Sequence, residues 1–263
     1  MTIMITGATD GLGRATAQAL AEAGHDLVVH GRSGDKLVRT AEELRRTGVS
    51  VQTALADMSD LGQVAAMARG IDPVDVLINN AGVFRIPDPI TPDGLDRRFV
   101  VNSFAPALLT RLLAPRMPGG GRVIHLSSAA QAPVDIDAMN GRHPLQPMEA
   151  YAQSKLALTI WSSCFAAAHL DGPLSIAVNP GSLLATTMVR EGFGTSGNDI
   201  NIGVDILVRA ALSEEFAEAS GRYYDNDARR FANPHPEAAN AARSRAVIDA
   251  IEARIAPFMT PAH

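Results

Sequence analysis

The sequence predicts an α/β fold in which one parallel β-sheet carries helices on both faces. Short apolar runs rich in β-branched residues alternate with longer helical patterns along the chain, as βαβ units require. Two of the runs, VDVLI and RVIHL, are almost continuously apolar, which is typical of strands covered on both faces. A glycine-rich turn, TGATDGLG, follows the first run and opens the first helical pattern.

Seven strands are predicted from these runs. They are Ile3–Thr6, Asp26–His30, Ser50–Ala54, Val74–Asn79, Arg122–Ser127, Leu174–Asn179 and Arg222–Tyr224. The helical patterns are Leu12–Ala23, Lys36–Thr47, Leu61–Arg69, Leu95–Leu113, Glu149–His169, Ile202–Ala211 and a terminal helix over Pro236–Ile255. No repeat or linker interrupts the series, so residues 1–263 are expected to form a single domain.

Composition excludes several classes of function. The 263 residues are 46% hydrophobic and 19% charged, with a net charge of -5, so no basic surface for nucleic acid is expected. The single cysteine, Cys164, excludes an internal disulfide and is expected to be a small buried residue. The histidines His30, His125 and His235 have no metal-ligand spacing and are expected in the core, at the cofactor edge or in a loop, so no metal is predicted.

Targeting signals are also missing from the sequence. The chain opens with TIMIT, without a basic segment or an apolar run of signal-peptide length. No apolar run reaches the roughly 18 residues of a membrane span. A soluble cytoplasmic protein is the expectation.

The glycine turn of residues 6–13 predicts a dinucleotide site. Glycines allow a tight turn and a close approach to a pyrophosphate, and the helix N-terminus behind them offers unpaired N–H groups. Strand, turn and helix occur here in the required order. The predicted fold is therefore a Rossmann-type doubly wound α/β fold with a seven-stranded parallel sheet.

The end of the second strand indicates which dinucleotide is bound. It reads VVHGRS, with Gly31, Arg32 and Ser33 where an NAD site usually offers an acid to the ribose hydroxyls. Arginine matches the geometry of a phosphate. NADP(H) is the predicted cofactor, and NAD(H) stays possible because Asp35 lies slightly further on.

Six motifs occur in a characteristic order. They are TGATDGLG at 6–13, NNAG at 79–82, Asn102 in FVVNS, the serines of HLSS at 127–128, YAQSK at 151–155 and NPG at 179–181. With this ordered set the chain resembles the classical short-chain dehydrogenase/reductase family over nearly its whole length. The sequence SKLA and the loops look similar to the retinol-dehydrogenase-like branch.

The resemblance implies four catalytic residues. Tyr151 would be the general acid/base, and Lys155 would lower the pKa of its phenol and bind the nicotinamide ribose. Ser128 would hold the substrate oxygen, and Asn102 would anchor a water of the proton relay. Ser127 is the alternative for the catalytic serine.

The resemblance also implies the cofactor contacts. Asp57 would meet the adenine, and Pro180 and Gly181 would lie beside the nicotinamide. The full set is Gly7, Thr9, Asp10, Gly11, Leu12, Gly13, Arg32, Ser33, Asp57, Met58, Asn80, Ala81, Gly82, Tyr151, Lys155, Pro180, Gly181, Leu183 and Thr186. Thr187 is an alternative to Thr186, and Asp10 stands where many NADP-preferring members carry a basic residue.

Two irregular stretches, Gln131–Pro147 and about 182–200, are expected to shape the substrate site, the second as a lid. Apolar residues in them suggest a largely apolar pocket; these are Met139, Met148, Leu183, Leu184, Met188 and Phe193.

The helix over Glu149–His169 carries apolar stripes on more than one side. One stripe is expected to pack on the sheet. The other is expected to meet either a partner subunit, in a dimer or tetramer, or the C-terminal segment of the same chain.

The leading hypothesis is an NADP(H)-dependent oxidoreductase that interconverts a carbonyl compound, a ketone or aldehyde, with an alcohol by hydride transfer. One alternative is an NAD-dependent secondary-alcohol dehydrogenase. The other is a non-catalytic NADP(H)-sensing regulatory protein, for which the glycine turn alone would suffice.

Overall fold

The fold is known from a computed structural model that describes residues 1–186, 188, 190, 194 and 196–260. Its strands are β1 (Thr2–Ile5), β2 (Asp26–Gly31), β3 (Val51–Leu55), β4 (Val76–Asn79), β5 (Arg122–Leu126), β6 (Leu174–Asn179), β7 (Tyr223–Asp225) and β8 (Arg230–Ala232). Within the described residues they form one eight-stranded sheet in the order β3-β2-β1-β4-β5-β6-β7-β8.

The helices lie between the strands. They are α1 (Gly11–Glu22), α2 (Gly34–Arg45), α3 (Leu61–Arg69), α4 (Arg97–Phe99), α5 (Ala105–Leu113), α6 (Ile136–Met139), α7 (Pro147–Ala168), α8 (Asn201–Leu212) and α9 (Ala241–Met259). Short 3-10 turns add Ala114–Arg116, Glu214–Phe216 and Pro236–Ala239, and Val100–Phe104 forms a π turn between α4 and α5.

The sheet topology confirms the predicted doubly wound α/β class. Strands β1 to β7 are parallel, and the chain order reverses between β1 and β4. Open α/β sheets bind ligands at the carboxyl ends of the strands beside such a switch point. The prediction missed β8, which pairs antiparallel with β7. Arg230–Ala232 is too short and too polar at its start to show strand periodicity.

Alternate residues of the strands divide the core into two layers. Met4 and Leu77 face one layer, which α3, α5, α7 and α9 cover. Ile3 and Ile78 face the other layer, which is closed mainly by α1, α2 and α8. The sheet is therefore buried on both faces, as the continuous apolar runs predicted.

Three predicted elements differ from the structure in more than the position of their end residues. The helix predicted over Leu95–Leu113 begins at Arg97, after Asp96 caps it, and is widened by the π turn. The terminal helix begins at Ala241 and reaches Met259, because Pro236–Ala239 is a separate 3-10 turn. The stretch Gln131–Pro147 contains α6, which Asp135 caps by accepting from two backbone N–H groups.

Both apolar stripes of α7 are buried within the chain. Trp161 is 1% exposed and packs in the same core cluster as Ile251 of α9. Its indole N–H donates to the Glu252 carboxylate at 2.9 Å. Of the two expected coverings of this face, the structure shows the C-terminal segment of the same chain. Homo-oligomerisation through another surface stays a prediction.

Two smaller expectations concern Cys164 and the membrane. Cys164 is half-buried rather than fully buried. Among the described helices, none combines the length and the apolar character that a membrane crossing requires.

Candidate active site

The predicted motifs meet at the carboxyl edge of the sheet. The glycine turn follows β1, NNAG ends β4 and continues beyond it, HLSS ends β5 and NPG follows β6. Because β1, β4, β5 and β6 are neighbours in that order, segments far apart in sequence share one cleft at the switch point.

The glycine turn has the backbone that the sequence predicts. Gly7 and Gly11 have φ angles of 67° and 51°, which L side chains rarely adopt. A Cβ atom at Gly13 would lie 2.3 Å from the Gly7 carbonyl oxygen and from Asn80 Nδ2. The turn therefore requires glycine, and it fits the close backbone approach of a dinucleotide. Asp10 is exposed and caps α1 by accepting from the Gly11 N–H at 2.7 Å.

The segment Asn80–Gly82 supports the turn from β4. Asn80 Nδ2 donates to the Thr6 carbonyl at 2.8 Å, and the Ala81 N–H donates to Thr6 Oγ1 at 3.0 Å. A Cβ atom at Gly82 would lie 3.4 Å from Lys155 Nζ. Asn80, Ala81 and Gly82 thus lie between the glycine turn and Lys155, and their contact with a cofactor stays a prediction.

The ends of β2 and β3 form the other half of the predicted cofactor site. Arg32 is exposed, and Ser33 is half-buried at the N-cap of α2. A Cβ atom at Gly31 would lie 2.6 Å from Thr9 Cγ2. This close packing brings the glycine turn against the end of β2, so Arg32 stands beside it.

Asp57 and Met58 follow β3 and differ in exposure. Asp57 is half-buried, and its carboxylate accepts from the Ser59 N–H at 2.8 Å. Met58 is 5% exposed and packs in the core beside Leu61. The contact of Met58 with a cofactor stays a prediction.

Tyr151 and Lys155 lie one turn apart on the same face of α7. Lys155 is 4% exposed, and its ammonium donates to the Leu126 carbonyl at 2.8 Å. Its Nζ lies 5.6 Å from the centre of the Tyr151 ring. The Ser128 side chain lies close enough to the phenol to lower its pKa, and the centre of the Phe84 ring lies 5.2 Å from that of the Tyr151 ring.

The two candidate serines have different surroundings. Ser127 is 3% exposed, and its hydroxyl is 2.6 Å from Thr159 Oγ1. Ser128 is half-buried, lies beside the Tyr151 phenol and accepts from the Ala130 N–H at 3.1 Å. Ser127 serves the contact between β5 and α7, so the geometry favours Ser128 as the residue at the phenol.

Burial shifts the pKa of both titratable groups. Burial raises the pKa of the Tyr151 phenol, and the hydrogen bond from Ser128 opposes this change. Burial lowers the pKa of the Lys155 ammonium to about 8. Sequence reasoning expected the lysine to lower the tyrosine pKa, and that expectation stays a prediction, because burial of the phenol sets the direction of the shift in this structure.

Asn102 lies in the π turn between α4 and α5. The turn is closed by a bond from the Ala105 N–H to the Val100 carbonyl. The Asn102 side chain accepts from the Val83 N–H at 2.8 Å and donates to the Val83 carbonyl at 3.0 Å. Its Nδ2 also donates to Ser154 Oγ at 2.9 Å. The amide thus ties the segment after NNAG to α7, and π turns often occur at functional sites.

The segment after β6 turns sharply at the cleft. Gly181 has a φ angle of 123°, and the exposed Leu183 has a φ angle of 51°. A Cβ atom at Gly11 would lie 3.5 Å from Thr186 Cγ2. Thr186 therefore faces the glycine turn across the cleft. Pro180 and Gly181 belong to the same segment at the cleft. The alternative Thr187, together with Gly192 and Phe193 of the predicted lid, lies outside the described residues.

The residues of the predicted apolar pocket differ in exposure, and the pocket stays a prediction. Met139 is 0% exposed and Leu184 is 5% exposed, so both belong to the core. Met148 and Leu183 are exposed, and Met188 is half-buried. The apolar character of a loop residue does not show whether its side chain packs in the core or faces a ligand.

Sequence reasoning missed the side chains that hold Ser128. The Tyr223 hydroxyl donates to the Ser128 carbonyl at 3.2 Å, and Gln131 Nε2 donates to the same oxygen at 3.0 Å. Gln131 Oε1 accepts from the His235 N–H at 2.8 Å. No motif marked these residues, because they come from three separate segments. Within the described residues no group of three metal-binding side chains occurs.

Residues 1–195 match the family model described as short chain dehydrogenase. The chain belongs to this family. This short-chain dehydrogenase is 30% identical to retinol dehydrogenase 13 from Homo sapiens, over 92% of its own length and 81% of the relative.

Solved structures agree with this assignment. An uncharacterised protein from Mycobacterium paratuberculosis is 27% identical, with a TM-score of 0.81 over 99% of this chain and 95% of that one. The angucycline C-6 ketoreductase LanV, solved with bound NADP, is 28% identical, with a TM-score of 0.68 over 86% of this chain and 93% of that one. The similarity to retinol dehydrogenase 13 supports the retinol-dehydrogenase-like branch of the family.

Proposed function

We propose that this short-chain dehydrogenase is an NADPH-dependent carbonyl reductase that converts a ketone or aldehyde to an alcohol. The observation that carries the proposal is the convergence of the Ser128 hydroxyl, the Tyr151 phenol and the Lys155 ammonium beside a glycine turn. A regulatory protein that only sensed the dinucleotide would need the turn without the other groups.

Tyr151 acts as the proton donor. Its raised pKa keeps the phenol protonated at neutral pH, and a positioned acid of this kind can protonate the oxygen of the substrate as negative charge develops there. NADPH, when bound, supplies the hydride. The Lys155 ammonium then stabilises the phenolate that remains, because its pKa of about 8 leaves it charged at neutral pH.

Ser128 orients the substrate oxygen. Its Oγ accepts from the Ala130 N–H, and its hydroxyl hydrogen can be donated to the substrate oxygen in place of the phenol. A neutral donor held in this way stabilises developing charge at the oxygen. Asn102 positions α7 through Ser154. The resemblance to the family implies that Asn102 also anchors a water of the proton relay.

The glycine turn, Asn80–Gly82 and the segment from Pro180 to Thr186 would hold the dinucleotide, with Arg32 at the 2′-phosphate. Arg32 is exposed and follows Gly31, which packs against Thr9 of the turn; this position supports NADP(H), as does the NADP in the ketoreductase LanV. An NAD-dependent alcohol dehydrogenase remains the alternative, with Asp35 gripping the ribose.

The first experiment follows oxidation of NADPH and NADH over a panel of ketones and aldehydes. Wild-type protein should reduce at least one carbonyl compound faster with NADPH. Tyr151→Phe should lower kcat about 100-fold or more, the usual contribution of a general acid, while still binding NADPH. Retention of most turnover by this variant would refute the proton role.

A second pair of variants tests the cofactor assignment. Arg32→Ala should raise the KM for NADPH about tenfold and change the KM for NADH by less than about twofold, because only the 2′-phosphate is lost as a partner. The exposed Arg46 at the end of α2 provides the matched control, Arg46→Ala. Equal effects of Arg32→Ala on both cofactors would contradict the phosphate role.

A further inference from the structure

His30 is a buried polar residue in the part of the predicted cofactor site that the ends of β2 and β3 form. It is the residue before the last of β2 and is 2% exposed. Its neighbours Val28 and Val29 are apolar core residues. The sequence led us to expect His30 in the core or at the edge of the cofactor site, and it indicated no function for this residue.

Both ring nitrogens of His30 have backbone partners. The Gly7 N–H donates to Nδ1 at 3.1 Å, and Nε2 lies 3.1 Å from the Ala56 carbonyl oxygen. An amide N–H can only donate and a carbonyl can only accept, so Nδ1 carries no hydrogen and Nε2 carries one. The two bonds therefore select one neutral tautomer. Burial lowers the pKa of His30, although the Ala56 carbonyl and the charge of Asp57 oppose this shift.

These bonds connect two parts of the predicted cofactor site. Gly7 is the first glycine of the turn and has a positive φ angle. Ala56 immediately precedes Asp57, the expected adenine contact. The imidazole of β2 thus links the carboxyl ends of β1 and β3 from inside the sheet.

We propose that His30 is a positioning residue of the cofactor site, holding the glycine turn and the Ala56–Asp57 segment at the separation that the adenosine half of the dinucleotide requires. The inference rests on the proposed function, because it takes the dinucleotide site as given. His30 itself need not touch the cofactor. Its role lies in fixing the two backbone segments that do.

The test compares three single variants with wild type. His30→Leu fills similar space but leaves the Gly7 N–H and the Ala56 carbonyl without their side-chain partner. His30→Asn offers an acceptor near the former Nδ1 position and so restores only the bond from Gly7. His125→Leu is the matched control, since His125 is a fully buried histidine of β5.

Binding is measured by fluorescence titration with NADPH and with 2′,5′-ADP, which represents the adenosine half alone. His30→Leu should weaken both ligands about tenfold and His30→Asn about threefold, since a buried donor or acceptor left unpaired weakens its site by such factors. At saturating NADPH the kcat of both variants should stay within about twofold of wild type. His125→Leu should bind both ligands as wild type does.

Thermal unfolding of the apoprotein separates positioning from stability. Wild-type affinity of His30→Leu for either ligand, even with a lowered Tm, would overturn the proposal. If His30→Leu does not fold, the same conclusion follows from wild-type affinity of His30→Asn. A wild-type protein that binds no NADPH would refute the proposed function instead, so the two failures are distinguishable.

Discussion

Burial of the Lys155 ammonium destabilises the fold, but it also places a positive charge beside Tyr151. The ammonium is buried and has one hydrogen bond, to the Leu126 carbonyl. Burial lowers its pKa from 10.5 to about 8, so the folded protein binds this proton less tightly than the unfolded chain does. The same charge lies beside the Tyr151 ring, where the proposed reaction leaves a phenolate.

The lowered pKa of Lys155 predicts a pH dependence of stability. Below about pH 8 the lysine is protonated in both states, and burial of the charge destabilises the fold. Between about 8 and 10.5 the unfolded chain binds the proton more strongly, so the free energy of unfolding rises with pH, by about 3 kcal/mol in total.

Urea unfolding of the apoprotein from about pH 7 to about pH 10 measures this effect. Lys155→Met should be more stable than wild type at the low end, and the difference should shrink as the pH rises. Lys36→Met changes an exposed lysine and should give no such trend. A difference that is constant with pH would contradict the buried charge.

At the scale of elements, the antiparallel hairpin of β7 and β8 holds the segment after β6. Asp227 accepts from the Ser182 N–H and from Asn179 Nδ2, each at 2.9 Å. Asn226 Nδ2 donates to the Pro180 carbonyl at 2.9 Å and to the Ile202 carbonyl at 3.1 Å. The turn between the two strands therefore holds both ends of the predicted lid.

Asp227→Asn should loosen this attachment. The amide replaces an acceptor with a donor that faces other donors, and the loss of about 1 kcal/mol should speed local exchange about fivefold. Hydrogen exchange measured by mass spectrometry should show the change in residues 180–186. Asp249→Asn removes a carboxylate from an exposed pair on α9 and should leave that segment unchanged. If residues 180–186 exchanged at the same rate in Asp227→Asn and Asp249→Asn, the hairpin would not be what holds this segment.

For the whole molecule, the C-terminal helix α9 completes the layer that supports α7. Ile251 is 0% exposed and shares a core cluster with Trp161 and Leu156 of α7. Arg69 of α3 also donates to the Phe258 and Thr260 carbonyls at 2.8 and 2.9 Å. The end of the described chain is thus joined to both α3 and α7.

Ile251→Ala should destabilise the protein by about 3 kcal/mol, the usual cost of removing a large buried aliphatic side chain. Ile248→Ala, a change at a half-buried position of the same helix, should cost about 1 kcal/mol or less. Urea unfolding of both variants measures the difference. Similar losses at the two positions would show that α9 does not form part of the main core.

Local patterns determined much of this protein. Alternation of apolar runs and helical patterns determined the doubly wound fold, because both depend on residues close together in the chain. The glycine turn and the spacing of Tyr151 and Lys155 are equally local, so their geometry was predictable. The family motifs located Ser128 and Asn102 but could not exclude Ser127.

Tertiary structure decided what depends on contacts between distant segments. The neighbours of Ser127 and Ser128, the covering of α7 by its own chain and the two partners of His30 all arise from such contacts. The π turn around Asn102 and the short strand β8 carry no periodic signal of their own. A hydrogen bond or a buried face is determined only when both partners have been placed, because its energy belongs to the pair and not to either residue.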